Sequence, residues 1–121
     1  ERLSKEFASF YPEQTCSPVG AVVGCTEESD AKALREAYPD IFFLIPGYGA
    51  QGGAARIAAT LLKNAGGTVN SSRGILCAWK KSPTCLQKEQ DGSLTMDDIG
   101  DAAGAAAIEA KNDLLSAFAA L

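Results

Sequence analysis

Histidine is absent from these 121 residues. Without it, neither Ser-His-Asp nor Cys-His catalysis can be assembled within this chain. The four cysteines, Cys16, Cys25, Cys77 and Cys85, include no C-x-x-C pair, so a structural zinc site has no support. Cys25 and Cys77 stand in apolar surroundings and read as small buried hydrophobes, and the set reads as reduced thiols of a cytoplasmic protein. No apolar run approaches the ~20 residues that span a bilayer, and the first ten residues carry no apolar segment behind a basic start. Membrane insertion and a secretory leader are therefore not expected. An excess of positive charge is missing too: the formal charge is −4 and the eleven Lys and Arg are scattered, which argues against nucleic acid as a partner. A small anion is not excluded, because a few local donors decide that binding.

Just under half of the residues are hydrophobic, enough for a core. Leu3, Phe7, Phe10 and Tyr11 recur at helical spacing and stop before Pro12. The run GAVVG, 20–24, reads as a strand, followed by a helix capped by Thr26 or Ser29 with Ala31, Leu34 and Tyr38 inward. Five apolar residues, 41–45, make the clearest strand. A helix after Gly53 would bury Ile57, Leu61 and Leu62 and end at Gly66, before a third strand at 68–70. Residues 81–95 read as a polar excursion. Thr95, with Asp98 three residues on, caps a long last helix whose stripe runs through Met96, Ile99, Ala103, Ala110, Leu114, Phe118 and Leu121. Apolar strands alternating with helices predict an α/β fold with a parallel sheet.

Two glycine-rich stretches punctuate this pattern: PGYGAQGG at 46–53 and NSSRGI at 70–75. Each follows a strand and precedes a helix. Such a junction presents backbone N–H groups and a positive dipole end, which suits a phosphate. Arg73 adds a permanent cation whose fork fits phosphate oxygens. Two such loops one βα unit apart imply one anion held by neighbouring strand ends, as in the phosphate site after the last two strands of a βα-barrel. A barrel takes roughly 250 residues, so three strands are expected to be its C-terminal half, with the N-terminal half outside this chain.

The run PVGAVVGCTEESDAKALREAYPDIFFLIPGYGAQGG, followed by TVNSSRGILCAWKK, resembles the C-terminal half of orotidine 5′-phosphate decarboxylase, in the longer-sequence branch of that family. The resemblance implies a (β/α)8 TIM barrel, of which residues 1–121 would supply strands 6–8 and the C-terminal helix. It implies decarboxylation of orotidine 5′-monophosphate to UMP, with no metal or organic cofactor, in a cytoplasmic homodimer whose other partner is the N-terminal half of the same barrel. Carried over by residue, Gln51, Ser72 and Arg73 would bind the substrate phosphate, while Pro46 and Tyr48 would line the substrate pocket. The family's Asp-x-Lys-x-x-Asp array does not occur here. The nearest string, Asp30-Ala31-Lys32-Ala33-Leu34-Arg35, lacks the second aspartate and lies on an amphipathic helix, so Asp30 and Lys32 read as surface charges and no catalytic residue is expected in this chain.

Plainer readings stand beside these. Arg73 could serve a surface ion pair, Gln51 could be a solvated loop residue, and Pro46 could be only a strand terminator. Two other functions share the same features: the phosphate-gripping half-barrel of a sugar-phosphate aldolase or isomerase, and a non-catalytic half-barrel that mediates assembly.

Overall fold

The computed structural model describes residues 2–24, 26–48 and 54–121. Three short strands, β1 (Ala21–Val22), β2 (Phe43–Ile45) and β3 (Gly67–Val69), lie side by side in sequence order. Both pairings are parallel, as alternating strands and helices require. Ala21, Phe43 and Gly67 form one cross-strand row, and Val22, Leu44 and Thr68 form the next. Because successive side chains leave opposite faces of a strand, these rows face opposite ways.

On one face the sheet meets helices. The helix between the first two strands, α2, spans Glu28–Ala37, and α3, between the second and third, spans Ala54–Leu61. They pack on each other, and Ala31, Phe43, Ile45, Ala55, Ala58 and Leu61 form the centre of the core. The last helix, α6 (Met96–Ala119), lies against α3 and closes the core with Ala110, Leu114 and Ala117. The opposite face is open: Val22 is 71% exposed and Phe42 is 38% exposed, against 1% for Phe43. An N-terminal helix, α1 (Arg2–Phe10), buries no residue, and its Leu3 and Phe10 stay exposed.

The inward side of α2 differs from the expected one. Tyr38 is exposed at the helix end, while Arg35 is 3% exposed and fills the inner position one turn after Ala31. Its guanidinium donates to the carbonyls of Leu61 (2.8 Å), Tyr38 (3.0 Å), Ile41 (2.9 Å) and Gly66 (3.3 Å), and lies 4.0 Å over the Phe43 ring. Burial lowers its pKa. A buried cation is tolerated here because its donors meet carbonyls at the ends of α2 and α3, and the ring takes one face. Neither Thr26 nor Ser29 caps α2: the cap is Glu27, with no side-chain bond, and Glu28 and Asp30 in the first turn face the helix dipole instead.

The polar stretch 81–95 is not an irregular excursion. Ser82 accepts from the Cys85 N–H, Pro83 takes the first helical position, and α5 runs Pro83–Gln90. Before it come a short helix, α4 (Ser72–Leu76), and a 3-10 turn, Ala78–Lys81. The expected capping box at the start of α6 is present: Thr95 accepts from the Asp98 N–H, and the Asp98 carboxylate accepts from the Thr95 N–H at 3.0 Å. Lys88 of α5 pairs with Asp98 at 2.5 Å. These partners pull the Asp98 carboxyl down to about 2, with the Lys88 hydrogen bond the largest cause. Met96, Phe118 and Leu121, placed on the buried stripe by periodicity, are exposed. Cys85 is the buried cysteine, Cys77 is half-buried, and Cys25 lies outside the described residues. Among those residues no disulfide forms, and no helix is long and apolar enough to cross a membrane.

Candidate functional site

Adjacent parallel strands bring their C-terminal ends to one edge, so the loops after β2 and β3 leave the sheet side by side. Asn70 donates its N–H to the Ile45 carbonyl at 2.8 Å, which carries the pairing one step beyond the strands. Gly47 then takes φ +74, a left-handed backbone that side chains other than glycine rarely adopt. That turn sends Tyr48 back across the second loop: its N–H donates to the Asn70 carbonyl at 3.1 Å, and its carbonyl accepts from the Ser71 hydroxyl at 2.6 Å. A Cβ at Gly74 would overlap the Ser71 hydroxyl oxygen and would displace it from the Tyr48 carbonyl.

The second loop orders itself. The Asn70 side-chain oxygen accepts from the Ser72 N–H at 3.1 Å and from its hydroxyl at 2.8 Å, a local turn that starts α4. The Ser72 N–H is therefore already engaged. Arg73 is exposed on the first turn of α4, and among the described residues neither a hydrogen bond nor an ion pair occupies its guanidinium. Pro46 is exposed at the end of β2. Gln51 lies outside the described residues, as do its neighbours 49, 50, 52 and 53.

Tyr48 takes a different place from the one its loop position implies. It is only 8% exposed and belongs to the core cluster, where its ring meets the helix side of the sheet. Its hydroxyl donates to Asp113 of α6. Burial, then that hydrogen bond, then the charges of Asp113 and Glu109 raise the phenol pKa well above its ordinary value. The apolar stripe by which the sequence marks α6 leaves Asp113 unmarked. Nothing local marks it, because its partner lies 65 residues away. Asp30 and Lys32 are exposed, as expected of surface charges. Among the described residues no cluster of histidine, cysteine, aspartate or glutamate could hold a metal ion.

The arrangement supplies an exposed cation, uncommitted among the described residues, beside two strand ends fastened to each other. No family model matches the chain. Curated relatives do. It is 45% identical over 100 residues to orotidine 5′-phosphate decarboxylase of Clostridium kluyveri, a match covering 82% of this chain and 31% of that protein. The enzyme of the same name from Clostridium tetani is 61% identical over 66 residues, covering 54% of this chain and 23% of that one. That of Clostridium botulinum is 51% identical over 84 residues, covering 67% and 27%. The chain thus spans less than a third of the relatives it matches, and its three parallel βα units fit part of a barrel. Together with the paired glycine loops, these identities place the chain in the orotidine 5′-phosphate decarboxylase family.

Proposed function

We propose that this chain is the phosphate-holding C-terminal portion, strands 6–8 and the closing helix, of an orotidine 5′-phosphate decarboxylase that releases CO₂ to give UMP. The observation that carries the proposal is Arg73, exposed and uncommitted among the described residues, beside the fastened ends of two adjacent parallel strands. In this reading Arg73 grips the substrate phosphate, Gln51 folds over it from the first loop, and the Arg73 N–H faces it. The Ser72 hydroxyl and N–H share Asn70, so Ser72 shapes the turn and the arginine supplies the charge. Pro46 borders the base at the open sheet face.

The phosphate is remote from the carbon that loses CO₂, so its binding energy can order the loop and contribute to the chemical step. Charges that destabilise the substrate carboxylate and protonate the carbanion come from other segments of the barrel, because no Asp-x-Lys-x-x-Asp occurs in these 121 residues. The uncovered sheet face is where those segments dock. The protein acts in the cytoplasm, as a homodimer.

Arg73→Ala in the intact enzyme tests this reading. A charge-assisted, two-pronged contact is worth roughly 1.5–3 kcal/mol, so kcat/KM for orotidine 5′-monophosphate should fall about ten- to a hundredfold, with part of the loss in kcat. A loss below threefold would remove Arg73 from the site.

A further inference from the structure

Tyr48 is the last residue of the first loop before positions 49–53, and it is held at three points by two other parts of the chain, the second loop and α6. Its N–H reaches the Asn70 carbonyl at 3.1 Å, its carbonyl takes the Ser71 hydroxyl at 2.6 Å, and its hydroxyl reaches Asp113 on α6. Ser71 stands two positions before Arg73. Tyr48, Ser71, Gly74, Ile75 and Asp113 border one groove beside α6.

We infer that Tyr48, Ser71 and Asp113 are positioning residues that set the spacing between the two loops, with Asp113 anchoring that spacing to the last helix. The inference rests on the phosphate reading and deepens it. Donors already held at their working separation lose less freedom when an anion binds. The buried, carboxylate-facing phenol has a raised pKa and so stays a donor across the ordinary pH range. Tyr48 touches no reacting atom in this account; it acts through the loop it starts and through Ser71.

The test uses the intact enzyme and the variants Tyr48→Phe, Asp113→Ala, Ser71→Ala and the Tyr48→Phe/Asp113→Ala double. Tyr48→Phe keeps the ring in the core, Asp113→Ala removes the acceptor on α6, and Ser71→Ala cuts the loop-to-loop tie without touching α6. The readouts are KM for orotidine 5′-monophosphate and inhibition constants for UMP and for uridine, which lacks the phosphate. One hydrogen bond is worth about fivefold, so each single variant should raise KM and the UMP constant about fivefold and the uridine constant less than twofold. The double should match the worse single, because both substitutions break one bond. Equal weakening of UMP and uridine, or losses that multiply in the double, would overturn the inference and leave a merely structural contact. Arg73→Ala in the same assays separates the two readings. If it weakens UMP selectively while the other variants do not, positioning alone fails. If it weakens UMP and uridine alike, the phosphate reading fails and takes the positioning role with it.

Discussion

Phe42 and Phe43 are neighbours in the sequence and opposites in the structure. Phe43 is sealed against α2 and α3 with the Arg35 guanidinium over its ring, while Phe42 looks out from the other side of the same sheet. The helix side is complete in itself: its apolar residues interlock, and no described buried side-chain polar atom lacks a partner. The other side carries Val22 and Phe42, both exposed, and Leu44, half-buried. A strand that is apolar on both faces belongs in a sheet covered on both faces. The covered side holds this segment together, and in the proposed reading the more open side receives the rest of a barrel.

The largest expected effect comes from the sealed face. Phe43→Ala should cost about 3–5 kcal/mol of unfolding free energy in the intact protein and in the 121-residue chain alike. Phe42→Ala should cost about 1 kcal/mol or less in the 121-residue chain and about 2 kcal/mol or more in the intact protein. Denaturant unfolding of both forms measures the difference. Equal losses for Phe42 in the two forms would break the comparison, since nothing would then cover the open face.

A smaller effect sharpens the contrast within the outer layer, where α5 and α6 are tied through Lys88, Thr95 and Asp98. Folding lowers the Asp98 pKa from 3.8 to about 2. The stability this contributes is present above pH 3.8 and is lost as the pH falls through about 2. Between those values the wild type should lose unfolding free energy more steeply than Asp98→Asn. Parallel curves for the two proteins across that window would show that the tie contributes nothing.

Much of this was legible in the residues. The run 41–45 announced the strand β2, and the Thr95–Asp98 spacing announced the start of α6. The glycine stretches located the strand ends that carry Arg73. What escaped had physical reasons. Helical phase put position 35 inward, but a charge there reads as surface until the carbonyls of Leu61 and Gly66, supplied from elsewhere in the chain, are known. Ser82 and Pro83 are a proper helix start, yet α5 buries only Cys85, so no apolar period marked it. The side to which Tyr48 turns depends on Asp113, and no local pattern encodes that meeting.

The central claim, that the two strand-end loops hold the substrate phosphate, is tested most directly by a crystal structure of the intact protein with UMP bound. The account predicts the phosphate within hydrogen-bond reach of the Arg73 guanidinium, between the loops that follow β2 and β3. A phosphate seated elsewhere, such as among Lys32, Arg56 and Lys63 on the outer surface between α2 and α3, would contradict it.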